Sequence, residues 1–259
     1  PIMLALNPLI AAIASGNTAV IKPSEFAPAS GQFLKKLVEK TFSKNEVAVL
    51  LGDQEIAKEL LSHPFNHVFF TGSPATGKLV MSAAAKHLSS VTLELGGKSP
   101  VVVDESANIK EVAWKLAFYK FANAGQTCTA PDYILCHENK KTALLAGLKE
   151  NFEAFFSEKG FGPSPDYCQI VNQAHFERVL DYLEDAKSLG ATVEIGGETD
   201  KDRLFISPTV LSGVSLGSKI MKEEIFGPLM PIITYKDLDA AIAFIKEREK
   251  PLALYLFSY

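Results

Sequence analysis

Apolar positions along the chain fall into short runs separated by longer stretches with helical spacing. Thr18–Lys22, Val47–Leu51, His67–Phe70 and Val91–Glu94 read as strands, and Pro23 closes the first of them. Between them lie helical patterns at 29–42, 54–61 and 75–87, the first with Phe33, Leu34, Leu37 and Val38 on one face. A small-residue helix over Leu9–Ala14 stops at Ser15-Gly16-Asn17. Strands alternating with helices at this spacing predict parallel βαβ units and a doubly wound sheet. Ligands of such sheets sit at the carboxyl ends of the strands.

Gly96-Gly97 breaks the pattern, and a domain boundary is expected there, giving domains 1–95 and 96–259. The second half restarts with strand Pro100–Val103, a helix over Ile109–Phe121 and strand Tyr133–Cys136. Long helices are expected at Lys140–Phe156 and Gln173–Ser188, then strands at Thr192–Ile195 and Leu204–Ile206. A helix over Asp237–Glu247 and a strand over Leu252–Phe257 end the chain. The fold class is α/β throughout: a Rossmann-like doubly wound domain followed by a second α/β domain.

Composition narrows the function classes. With 47% hydrophobic and 22% charged residues the chain is an ordinary globular one, and a net charge of -4 gives no reason to expect nucleic acid or an anionic membrane as partner. Three irregularly spaced cysteines make no disulfide framework and fit a reducing, cytoplasmic location. The five histidines are dispersed without metal-ligand spacing, so no metal site is expected. The apolar first residues are interrupted by Asn7 and Pro8, too short to span a bilayer, and read as a buried core helix. The absent initial Met and a last strand that stops in mid-course suggest a fragment.

Candidate chemistry lies in the turns. Asn123-Ala124-Gly125-Gln126-Thr127-Cys128-Thr129-Ala130-Pro131 sets a cysteine among small and polar residues that leave its sulfur reachable, although a free cysteine is more often an inert small hydrophobe. Lys22 and Glu25 stand just past a strand end, where they would meet a hydroxyl-rich or anionic ligand or form a solvated ion pair. Gly72, Ser73 and Gly77 lie between a strand and a helix, either as a phosphate-side turn or as a plain tight turn. Glu94 ends an apolar strand, as a general base in a cavity or as an edge residue facing water. Glu223-Glu224-Ile225-Phe226-Gly227-Pro228 is by itself a turn. Cys136 is expected in the core, and Cys168 near a loop without a partner motif.

Taken in order, Val20-Ile21-Lys22-Pro23-Ser24-Glu25, Thr92 to Pro100, Gly125 to Tyr133, Glu223 to Pro228 and Glu249 to Tyr255 resemble the aldehyde dehydrogenase superfamily, in detail its class 3 branch acting on fatty and aromatic aldehydes. The resemblance covers essentially the whole chain. It implies NAD(P)-dependent oxidation of aldehydes to carboxylic acids, with a cofactor domain followed by a catalytic domain. Cys128 would be the nucleophile that forms a thiohemiacetal and then a thioester, and Glu94 the general base. The Cys128 N–H would supply half of an oxyanion hole. Lys22, Glu25 and Glu224 would be ribose contacts and Phe226 would lie by the nicotinamide, with Gly72, Ser73 and Gly77 under the pyrophosphate of NAD or NADP. A homodimer, and in some members a C-terminal membrane anchor beyond this chain, belong to the same expectation. Two features depart from the family: its Trp-Asn-x-Pro asparagine lies outside the chain, with Pro1 at the last position, and Pro74 removes a backbone N–H where Thr is common. Rival readings are a cysteine-dependent acyl-transfer or esterase-like enzyme, and a non-catalytic binding homologue.

Overall fold

The computed structural model describes residues 1–156 and 167–259, which form two compact units, Pro1–Leu95 and Gly96–Tyr259. The N-terminal unit runs α1 (Ile2–Ala14), β1 (Ala19–Ile21), α2 (Pro28–Thr41), β2 (Val47–Val49), α3 (Gln54–Leu61), β3 (His67–Gly72), α4 (Pro74–Ala85) and β4 (Ser90–Leu95). Its strands pair in parallel, β1 with β2 and β3 with β4. Among the described residues these are two separate pairs rather than one continuous ladder, because β1 and β3 each bond on a single edge.

Two expectations need correction here. Helix α1 continues through Asn7 and Pro8 instead of starting after them. It is also not a buried helix: Leu9 is its one buried residue, packed with Val38, Val47 and Val49, while Met3, Leu4 and Ile10 are exposed. Apolar residues occur all round this helix, so its single contact face leaves the others uncovered. The apolar face of α2 is likewise narrower than its spacing suggested, with Leu34 and Val38 buried and Phe33 and Leu37 exposed.

The C-terminal unit is built on β5 (Pro100–Val103), α5 (Ile109–Phe121), β6 (Tyr133–His137), α6 (Lys141–Phe156), α7 (Gln173–Ser188), β7 (Thr192–Ile195), β8 (Thr199–Asp200) and β9 (Phe205–Ile206). It continues with β10 (Thr209–Ser212), α8 (Lys219–Lys222), β11 (Leu229–Tyr235), α9 (Leu238–Lys246) and β12 (Tyr255–Phe257). The six-stranded sheet has the order β12-β5-β6-β11-β10-β7, parallel except for β7, which runs antiparallel to β10. β5 and β6 are buried on both faces, as their unbroken apolar runs require.

Strand β11, near the middle of this sheet, is absent from the sequence-based elements. Pro231 lies inside it, and proline cannot donate to a ladder. The strand tolerates it through stagger. Leu229–Ile232 pair with β10, while pairing with β6 begins only at Ile232, so Pro231 is flanked on one side. The unit's core joins both faces of this sheet through residues such as Leu116, Ile134, Phe152, Val179 and Met230.

Candidate active site

Cys128 lies between two rigid elements. Helix α5 is anchored by Val112, Ala113, Leu116, Ala117 and Phe121, and every residue of β6 is buried. The chain must turn sharply between them, and it does so with Asn123 and Ala124 at φ 53 and Gly125 at φ 70. Left-handed backbone is tolerable for Asn but strained for Ala, and such strain persists only where surrounding contacts fix it. Those contacts are present. The Asn123 side chain donates to the Gln126 carbonyl at 3.1 Å, and Gln126 Nε2 donates to the carbonyls of Asn123 and Gln169, each at 3.1 Å. Val171 N–H donates to Gln126 Oε1 at 2.9 Å. Gln126 is therefore a brace that ties the cysteine turn to the 169–171 segment.

The next four residues make a tight turn closed by Ala130 N–H to the Thr127 carbonyl at 2.9 Å, which puts Cys128 half-buried near its tip. Tyr255 donates its hydroxyl to the Thr129 carbonyl. Among the described residues the Cys128 N–H has no acceptor. The other two thiols differ: Cys136 is buried in β6, which pushes its pKa up to about 12, and Cys168 is exposed.

A second segment meets this turn. Gly125 abuts the Gly227 carbonyl so closely that a β-carbon would overlap it. Phe226, beside it, is half-buried and strained at φ 42. The half-buried Glu224 side chain rests over Gly96, where a β-carbon would collide with both carboxylate oxygens, and it accepts from the Gly97 N–H. Burial raises its pKa, partly offset by that hydrogen bond. Arg178 Nη1 donates to the Glu224 carbonyl at 3.1 Å, and Tyr182 donates to Glu223 Oε2 at 2.6 Å. Cys128, Glu224 and Phe226 thus belong to one assembly of turns.

The remaining candidates belong to the N-terminal unit. Lys22 Nζ meets Glu25 Oε2 at 2.6 Å, and this hydrogen bond lowers the Glu25 pKa. Ser73 caps α4, its hydroxyl accepting from Thr76 N–H at 3.2 Å, and Pro74 follows as the first helical residue. At that position a missing N–H breaks no intrahelical bond, so Pro74 suits the helix start. Gly77 faces Leu95, where a β-carbon would stand 2.8 Å from Cδ2, so it serves close packing of α4 on β4. Gly72 is similarly crowded by the Phe70 ring. Glu94 pairs in register with Thr71 near the end of β4, and its side chain is exposed within this unit.

Sequence reasoning missed the charged groups beneath the cysteine turn. Lys98 donates to Asp132 and to the carbonyls of Ile220 at 2.7 Å and Glu223 at 2.8 Å. Lys120 on α5 is wholly buried; desolvation brings its pKa down to about 8, against the opposing pull of Asp132 and Glu224. The available signal was a charge flanking a buried strand, which must find a partner, but the partners lie up to 125 residues away.

Two α/β units, the second carrying a braced, half-buried cysteine on a glycine-packed turn, describe the class of protein. All 259 residues match the model of the aldehyde dehydrogenase family, and the chain belongs to that family. It is 50% identical over its whole length to the 4,4'-diaponeurosporen-aldehyde dehydrogenase of Staphylococcus aureus, covering 55% of that protein. It is 46% identical to aldehyde dehydrogenase family 3 member A2 of Pongo abelii, covering all of this chain and 52% of that one. A solved structure described as the substrate-bound state of Staphylococcus aureus AldH superposes with a TM-score of 0.93 at 49% identity, over 98% of this chain and 55% of the other. The chain therefore spans about half the length of the relatives it matches.

Proposed function

We propose that the protein containing this chain oxidises aldehydes to carboxylic acids with NAD or NADP, using Cys128 as nucleophile. The observation that carries this reading is the cysteine turn: a half-buried sulfur on a braced loop whose own N–H has no acceptor among the described residues. A carbonyl oxygen placed beside that N–H would receive a hydrogen bond as the sulfur attacks, which is the electrostatic half of thiol catalysis. Deprotonated Cys128 adds to the aldehyde carbon to give a thiohemiacetal. Loss of hydride leaves a thioester, and water activated by Glu94 releases the acid and the thiol.

The residues present fit a dinucleotide. The α4 start, with its Ser73 cap and glycine-tight packing, is suited to a pyrophosphate, and Lys22, Glu25 and Glu224 offer charged groups for ribose hydroxyls. When bound, the nicotinamide supplies the hydride acceptor. Phe226, fixed in its strained turn, would be the residue beside that ring.

An apolar aldehyde fits best. Trp114 and Phe118 stack on α5 with ring centroids 5.8 Å apart and both are exposed, on the helix that leads into the cysteine turn. A fatty or aromatic aldehyde would find an apolar surface there. The test is cofactor reduction by the full-length protein with a medium-chain aldehyde, beside Cys128→Ala and Glu94→Gln. Cys128→Ala should abolish reduction, and Glu94→Gln should slow it about a hundredfold or more while Cys128 still labels. A wild-type protein that reduces neither cofactor yet labels at Cys128 would move the function to acyl transfer or ester hydrolysis.

A further inference from the structure

We infer that Lys98 and Asp132 are a positioning pair that holds the Glu224–Phe226 segment against the cysteine turn and so sets cofactor affinity. This rests on the dehydrogenase reading only for the roles of Glu224 and Phe226. The geometry stands by itself. Asp132 lies four positions after Cys128 and its side chain is 3% exposed; that of Lys98 is 12% exposed. One Asp132 oxygen accepts from Lys98, and the other accepts the Ile225 N–H at 2.8 Å. The ammonium's further bonds go to the carbonyls of Ile220 and Glu223. Asp132 N–H donates in turn to the Ser99 carbonyl at 2.8 Å, which seats it at the mouth of β5 and β6.

Every bond that Lys98 and the Asp132 carboxylate make to the 220–225 stretch is to its backbone. The pair therefore fixes where that backbone runs, whatever the side chains are. Glu223 and Ile225, the residues on either side of Glu224, are both caught, so Glu224 has little freedom to move off Gly96. The same aspartate follows Cys128 by a short stretch through Pro131, so its bond to the Ile225 N–H links the cysteine turn to the segment that carries Glu224. An ammonium reaches three acceptors from one point, a task for which a planar guanidinium is the wrong shape. Neither residue touches the reacting atoms; both act through Glu224 and Phe226.

The experiment compares Asp132→Asn and the double variant Lys98→Met with Asp132→Asn in the full-length protein. Asn is isosteric, but its amide nitrogen must face either Lys98 or the Ile225 N–H, so one bond breaks without a change of volume. The double variant removes both charges together, so neither Lys98 nor Asp132 is left charged without the other. Three readouts are taken: the dissociation constant of NADH and NADPH from fluorescence titration, the labelling rate of Cys128 without cofactor, and the melting temperature. The expected result is cofactor binding weakened about tenfold or more in both variants, with labelling within about twofold of wild type. Variants that melt lower but bind the reduced cofactors as tightly as wild type would overturn the assignment. Because binding is read without turnover, a protein that binds cofactor but oxidises no aldehyde sinks the dehydrogenase reading while still testing the pair. If wild type binds neither NADH nor NADPH, the pair's proposed role falls with the cofactor.

Discussion

Gly125 stands against the carbonyl of Gly227 with no room for a β-carbon, and its φ of 70 is one that only glycine adopts easily. The two glycines are where the cysteine turn and the Phe226 turn lock together. Replacing Gly125 by alanine meets both a backbone overlap and a left-handed conformation. Gly125→Ala should cost roughly 3 kcal/mol in denaturant unfolding. It should also change the rate at which Cys128 labels under native conditions, since the turn must shift to admit the methyl group. Native stability and labelling both equal to wild type would mean that the turns are not locked.

The N-terminal unit offers a separate test at the start of α4. Ser73 accepts from Thr76 N–H, and Pro74 supplies a helical φ without an N–H that needs a partner. Ser73→Ala should therefore lower stability by about 1 kcal/mol, while Pro74→Ala should change it by less, both read from chemical denaturation. If Pro74→Ala instead stabilises by more than Ser73→Ala destabilises, proline strains the helix start rather than suiting it.

Much of this was legible in the sequence. Strands β5 and β7 and helices α3, α5 and α7 have the bounds their apolar spacing gives, because each forms from local pattern and is then covered by tertiary packing. What was not legible depends on contacts distant along the chain. β11 was hidden by Pro231, which is admissible only because the ladder with β6 begins one residue later. The exposed side of α1 could not be seen either, since an all-round apolar helix does not say which face will find a neighbour. At the site, the cysteine turn announces itself by small and polar residues in series. Lys98 and Asp132 do not, because their meaning is each other and a set of backbone carbonyls and an N–H beyond residue 219.

The three thiols should separate under alkylation. Cys168 is exposed and Cys128 half-buried, while Cys136 lies in the sheet interior. With iodoacetamide at pH 8, peptide mapping should find Cys168 and Cys128 modified in the native protein and Cys136 modified only after unfolding. Native modification of Cys136 at a rate near that of Cys168 would contradict its place in β6.

Two buried groups give opposite slopes of stability against pH. Cys136 keeps its proton up to about 12 when folded, against an ordinary thiol value of 9.0. Between those values the unfolded chain has lost the proton and the folded one has not, so stability falls as pH rises through that window. Lys120 runs the other way. Its folded pKa is down to about 8 against 10.5, so between those values the unfolded chain binds the extra proton and stability rises with pH. Melting temperatures measured from pH 7.5 to 10.5 should show Lys120→Met losing the rising component that wild type retains, and Cys136→Ala losing part of the decline above pH 9. If Lys120→Met leaves the profile parallel to wild type across the whole range, the ammonium is not desolvated in the folded chain, and its placement beneath the cysteine turn is wrong.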